Sequence, residues 1–226
     1  ALTSGLSDDR IYSIPWGIDL KKFTPTGPHM DLGAWKISPS DQVIVSLRAH
    51  EPLYRVNDIV DAFALIQDDF PDTHLIIGTE GSLSEQLREQ VRSPGIGDRT
   101  TFIGMLAESD LPSLLRASTV YVTASEVDGT SVTLLQAMSC GLPVVASATS
   151  GNAEWVIPGE TGYLFTSGSP QEMAMALSSA LTDHASGDSK ALADRAHDVV
   201  TEKANWDRNY RVLDAIMRTV PHGRHE

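Results

Sequence analysis

The sequence has 226 residues, 41% of them hydrophobic, and its 30 acidic against 17 basic side chains give a formal charge of −13. This balance argues against a nucleic-acid surface, which needs clustered Lys and Arg along a phosphate track, but it is compatible with a small anion held by a few placed cations and helix N-termini. No run approaches the ~18 apolar residues that cross a bilayer, the first residues lack the basic and apolar regions of a signal peptide, and Cys140 is the only cysteine; a cytoplasmic setting without an internal disulfide is therefore expected.

In chain order, residues 1–10 are polar and read as a linker from a preceding element. Residues 11–14 (IYSI) are a candidate strand, broken by Pro15, Trp16 and Gly17, and Phe23 is an apolar anchor for an irregular stretch that runs to about Ser40. From residue 42 the pattern becomes regular. The run QVIVSL predicts a strand, and Ile59, Ala62, Phe63 and Ile66 mark one face of a helix ending near Phe70, before Pro71. A strand over 74–78 is followed by the turn Thr79-Glu80-Gly81, a helix capped by Ser82 and running through Val91, a strand over 100–104 and a short helix over 110–117.

The segment 119–147 is the most informative. A β-branched and aromatic run at Val120, Tyr121 and Val122 ends in the polar loop SEVDG, as a buried parallel strand does. Thr130 or Ser131 then caps a helix whose Val132, Leu135 and Met138 share a face, Gly141 stops it, and LPVVA starts the next strand. A short strand over 162–165, helices near 170–181 and 190–203 with a loop over 183–189 between them, and a last amphipathic helix from Trp206 complete the series. Strands alternating with helices predict an α/β fold, a Rossmann-like parallel sheet covered on both faces. Its carboxyl edge gathers Arg48, Arg55, Gly78, Gly81, Gly104, the loop 125–129 and the helix start 130–133, a set that suits a diphosphate: two cations, turns without side chains, and a helix N-terminus. Asp128 and Gln136 lie eight residues apart, about two helical turns, so both can look into one crevice. The seven histidines are scattered without metal-ligand spacing, so no metal site is expected.

Six pieces in order, IPWGIDLKKF, SLR, IIGTEG, TFIGML, DGTSVTLLQAMSCGLPVV and GNAEWVIPGETGYLF, carry a resemblance that spacing alone does not give. They resemble the carboxyl-terminal, nucleotide-sugar-binding domain of GT-B glycosyltransferases of group 1, family 4. The resemblance implies that Arg48 and Arg55 hold the donor diphosphate with Gly78, Gly81, Thr130, Ser131 and Val132. It places the family's paired glutamate positions on Asp128, as the catalytic residue at the donor sugar, and on Gln136, at the ribose. It sets Gly129 in the donor-sugar loop and Phe102, Ile103 and Gly104 beside the base. Both paired positions depart from Glu: Asp128 keeps the charge on a shorter arm, and Gln136 keeps an acceptor without it.

The resemblance further implies a retaining, metal-independent transferase without a bound cofactor, whose substrate is a nucleotide diphosphate sugar. It divides the chain into a linker over 1–10, a donor-binding domain over 11–203, and a C-terminal helix and tail over 204–226. The acceptor would sit on a missing N-terminal domain, which makes the isolated chain inactive, and peripheral membrane association is open only for the full-length protein. Two other functions share the residues: a nucleotide-sugar 2-epimerase of the same architecture, and a non-catalytic nucleotide-binding or interaction module.

Overall fold

The computed structural model describes residues 11–92 and 95–219. The linker expected over 1–10 and the end of the tail lie outside the described residues.

The strands are short, and the central ones, rich in Val, Ile and Leu, are buried, whereas the edge strands are only partly so. β1 (Gln42–Ser46), β2 (Thr73–Gly78), β3 (Thr100–Gly104), β4 (Val120–Thr123), β5 (Val144–Ser147) and β6 (Tyr163–Phe165) form one six-stranded sheet in the order β3-β2-β1-β4-β5-β6. All pairings are parallel, β1 lying between β2 and β4 with Ile44 opposite Leu75 and Val120. This is the expected Rossmann-like parallel sheet with helices on both faces. Parallel neighbours need crossovers, and these are supplied by α1 (Val56–Ile66), α2 (Ser84–Gln90), α3 (Leu111–Ala117), α4 (Val132–Ser139) and the short α5 (Ser150–Ala153). α6 (Pro170–Ser186), α7 (Ser189–Lys203) and α8 (Trp206–Thr219) follow the last strand.

Side chains alternate across the sheet, so one strand feeds two cores. Val43 and Val45 of β1 face the layer of α4 and α7, with Leu134, Leu135, Met138 and Val200. Ile44 faces the layer of α1 and α6, with Phe63 and Leu177. From β1 the chain steps outward through β2 with α1 on one face, and from β4 it steps outward the other way through β5 with α4 on the opposite face, so the carboxyl ends of β1 and β4 flank the topological switch point where open α/β sheets bind ligands.

Four local expectations are corrected. Residues 11–14 form no strand, and Ile11 and Tyr12 are exposed; backbone pairing with the fold comes at Ile18, whose N–H donates to the Ala204 carbonyl at 2.6 Å. Ser82 does not cap α2: Leu83 stands at the cap position without a side-chain cap bond, and Ser82 turns to Glu51, its N–H and hydroxyl donating there at 2.8 and 2.6 Å. α1 ends at Ile66, short of Phe70. The polar stretch over 183–189 is mostly helical: α6 continues to Ser186, and Gly187, at φ 88°, makes the break to α7. Among the described residues, no helix is long and apolar enough to cross a membrane.

The start of α8 is locked to the N-terminal segment. Ile18 bridges to Asn205, the Trp206 N–H donates to the Ile18 carbonyl at 3.1 Å, and Asn209 Nδ2 reaches the Pro15 carbonyl at 3.0 Å. The approach depends on Gly17, since a Cβ there would lie 2.5 Å from Trp206 Cα. Gly17→Ala should lower the unfolding free energy by about 1–3 kcal/mol in urea titrations, as overpacking against backbone does. Gly129→Ala, where a Cβ meets nothing within 4 Å, should change it by less than ~0.5 kcal/mol.

Candidate functional site

Arg48 stands two residues beyond the end of β1, at the switch point. One guanidinium nitrogen, Nη2, pairs with Asp128 Oδ2 at 2.9 Å, and Nη1 donates to Ser131 Oγ at 3.1 Å. The guanidinium lies over the Tyr54 ring, 4.2 Å from its centroid. Both charged side chains are largely buried, Arg48 12% and Asp128 11% exposed, so their attraction is much stronger than that of a surface pair and so is the cost of separating them. The third guanidinium position, Nε, is buried with no hydrogen-bond partner among the described residues.

Local sequence explains why these groups converge. Ser131 caps α4, accepting from the Leu134 N–H, and the same hydroxyl receives Arg48. Ser125, at the end of β4, donates to Asp128 Oδ2 at 3.2 Å. The Asp128-Gly129 backbone is seated on α5: a Cβ at Gly151 would fall 1.6 Å from the Gly129 carbonyl oxygen, so only glycine admits the loop there. Below the site, the buried Tyr121 hydroxyl meets Thr133 Oγ1 at 2.7 Å, and desolvation pushes its pKa up. Beside β2, Thr79 has a left-handed backbone, φ 68°, an uncommon conformation for a β-branched residue. It is held by Thr79 Oγ1 donating to the Arg48 carbonyl and by its N–H donating to the Gly104 carbonyl, both at 2.7 Å.

The remaining residues singled out from the sequence fall in two groups. Gln136, in α4, is partly buried, and its Oε1 is buried without a partner among the described residues. Thr130 and Val132 flank the Ser131 cap and are half-buried, and Gly129 is exposed. Arg55 is turned elsewhere: it donates to Asp58 Oδ2 at 2.7 Å, lies 3.9 Å from Glu126 and runs alongside Gly168, and no hydrogen bond or ion pair joins it to Arg48 or Asp128. The space that side chains would fill at Gly78 and Gly81 is occupied by Leu47 and by the His50 carbonyl, each within 2.6 Å of an added Cβ, so protein packing accounts for both glycines. Phe102, Ile103 and Gly104 stand on the edge strand β3; the Phe102 ring meets His50 edge-on and lies under Arg88. His50 is buried between Ser84 and the Gly78 carbonyl, and burial lowers its pKa.

Tyr54 was not picked out from the sequence, and Ser125 only as the start of the loop 125–129, without a role of its own. An aromatic residue just before α1 and a serine at a strand end carry no periodic signal, and only the fold brings them to Arg48 and Asp128.

Residues 32–199 match the family of glycosyl transferases group 1. The chain belongs to that family. It is 28% identical over 192 residues to a D-inositol 3-phosphate glycosyltransferase of Mycolicibacterium gilvum, covering 83% of this chain and 42% of that protein. The fold matches that of Anabaena Alr3699/HepE, whose structure was solved in complex with UDP-glucose, at a TM-score of 0.85 and 21% identity over 97% of this chain and 60% of that one. It also matches the C-terminal domain of a group 1 family protein (LpcC) from Francisella tularensis, at 0.74 and 24% identity, covering 84% of this chain and 99% of that domain. The chain spans from about a third to about half the length of the curated relatives it matches.

For this group 1 chain, the Arg48–Asp128 pair should be energetically coupled in the absence of any ligand. A double-mutant cycle with Arg48→Ala and Asp128→Ala, read from urea unfolding, should give a coupling energy of about 1–3 kcal/mol. A coupling below about 0.3 kcal/mol would mean that the two charges are effectively solvated.

Proposed function

We propose that this chain is the donor-binding half of a retaining glycosyltransferase that takes a sugar from a nucleotide diphosphate sugar and passes it to an acceptor. The observation that carries the reading is a buried guanidinium at the switch point of a parallel sheet, with an unsatisfied Nε, next to the capped N-terminus of α4. A diphosphate meets there the two features that anions favour, a cation and a helix start.

In this reading Arg48 and the first turn of α4 stabilise the charge that develops on the leaving diphosphate, a task assigned to protein groups and not to a metal ion. Asp128, released from Arg48 when phosphate oxygens take its place, orients the donor sugar hydroxyls. The loop over 128–130 is fixed by the Gly129–Gly151 contact, and it holds the sugar in place with little entropy left to lose. β3 lies two strand spacings from β1, roughly 10 Å, a distance over which a nucleotide can run from phosphates at Arg48 to a base at Phe102 and Gly104. Gln136 Oε1, an acceptor without a donor, suits a ribose hydroxyl. A second domain would supply the acceptor and close the crevice, and the described half by itself should bind donor without turning it over.

Calorimetric titration of uridine, guanosine and adenosine diphosphates tests the reading. At least one should bind, and Arg48→Ala should weaken it by about 1.5–3 kcal/mol, the worth of a hydrogen bond to a charged group. An unchanged affinity would remove Arg48 from the phosphate site. Gln136→Glu should tighten the same nucleotide by up to about 1–1.5 kcal/mol, because a charge-assisted bond to a ribose hydroxyl is roughly twice as strong as a neutral one. Equal affinities for wild type, Gln136→Glu and Gln136→Ala would exclude the ribose contact.

A further inference from the structure

The Asp128 carboxylate is held unevenly. Its Oδ2 takes both bonds, from Arg48 Nη2 at 2.9 Å and from Ser125 Oγ at 3.2 Å. Oδ1 makes no hydrogen bond or ion pair among the described residues and, unlike Arg48 Nε, is not sealed from solvent. A carboxylate can accept at both oxygens, so the resting pair leaves one oxygen of Asp128 unused.

Ser125 is fixed on every side. It is fully buried two residues beyond β4, and its carbonyl accepts from Ser147 Oγ at 2.7 Å and from Ser167 Oγ at 3.3 Å. Ser147 is fastened in turn by Asn152, whose Nδ2 donates to the Ser147 carbonyl at 2.9 Å. The next amide, Glu126 N–H, donates to the Leu53 carbonyl at 2.9 Å, and on the far side of Asp128 the Gly129 carbonyl rests on Gly151. The Ser125 hydroxyl lies 3.4 Å from Thr123 Oγ1, which can donate to it and leave the Ser125 proton for Asp128. With the backbone tied on both flanks, Asp128 moves by turning its own side chain, within reach of a hydroxyl that stays where it is.

We propose that Ser125 is a positioning residue for the donor sugar: it keeps hold of Oδ2 when the diphosphate takes Arg48, so that Asp128 turns about that bond and offers Oδ1 to a sugar hydroxyl. The proposal rests on the transferase reading above and names the group that decides where the released carboxylate goes. Two observations carry it. The Asp128 side chain is 11% exposed, and a carboxylate released there without a donor would bear a desolvation cost that a remaining hydrogen bond offsets. Ser125 is the one side chain besides Arg48 that donates to Asp128 among the described residues, and its hydroxyl is neutral, so phosphate does not draw it away as it draws a guanidinium.

Calorimetric titration of the 226-residue chain with UDP-glucose, UDP-N-acetylglucosamine, GDP-mannose and ADP-glucose, each beside its own nucleoside diphosphate, reads the sugar's share of binding as a ratio of two dissociation constants. For the pair that binds, Ser125→Ala should weaken the nucleotide sugar about tenfold relative to the nucleoside diphosphate, as loss of a hydrogen bond to a charged acceptor does. In the Asp128→Ala background, where no carboxylate is left to hold, the same substitution should move the ratio by less than about twofold. Ser125→Cys, close in size but a weak donor, should fall between wild type and Ser125→Ala, and it takes the place of Ser125→Ala if urea unfolding shows that variant too unstable to titrate. A ratio that neither substitution moves by more than about twofold overturns the proposal and leaves the donor reading standing. Equal weakening of both ligands is the same result, and it marks a structural role. A loss that persists in the Asp128→Ala background also overturns it, because Ser125 then acts without the carboxylate, and so does a chain that binds a nucleoside diphosphate but none of the four sugars. If no nucleotide binds at all, the donor reading falls and the role of Ser125 falls with it.

Discussion

The candidate site depends on one buried ion pair. Arg48 leaves the end of β1 into a place where water is largely excluded, and an isolated guanidinium there would carry a desolvation penalty of several kcal/mol. Asp128, Ser131 and Tyr54 offset it, by a charge at 2.9 Å, a hydroxyl at 3.1 Å and a ring face at 4.2 Å. The compensation is incomplete, because Nε has no partner. A charge kept buried and short of one hydrogen bond is poised to take an anionic ligand whose oxygens can replace one carboxylate and fill the open position. Asp128 thus has two tasks in the proposed function: it stabilises the empty site, and it turns to the sugar when phosphate arrives.

The fold creates this arrangement by layering. Parallel order 3-2-1-4-5-6 places the ends of β1 and β4 side by side although Ser46 and Val120 are far apart in the chain, and the loops that leave them meet as a matter of topology. Precision then comes from close backbone approaches. Gly151 admits the Gly129 carbonyl, Thr79 holds a strained turn through the Arg48 carbonyl, and Ser147 and Asn152 tie α5 to the end of β4 and β5. Each of these contacts uses backbone or a short side chain, which leaves little room for the loop over 125–131 to drift.

Much of this was legible in the residues. Periodicity placed all six strands, since buried parallel strands read as runs of Val, Ile and Leu bounded by polar loops. The Ser131 cap was visible as a hydroxyl preceding an apolar helical face. What failed has physical causes. The IYSI run has strand composition but no neighbour to pair with, and strand propensity expresses a partner more than a backbone preference. Ser82 was a plausible cap, but its side chain turns to Glu51, 31 residues away, and the helix starts one residue later, after Leu83. The helix over 170–186 continued through polar residues because only glycine at 187 breaks it, and polarity alone does not. The least legible feature was the most consequential: the sequence offered Arg48 and Asp128 as separate candidates, and their direct pairing is a long-range contact that no local pattern encodes.

The central claim is that a donor diphosphate takes Asp128's place on Arg48. A diffraction structure of this chain with the nucleoside diphosphate that binds it tests that most directly. The account predicts phosphate oxygens within hydrogen-bond distance of the Arg48 guanidinium and the Asp128 carboxylate drawn away from its 2.9 Å contact. A nucleotide bound with that contact intact, and its phosphates away from Arg48, would contradict it.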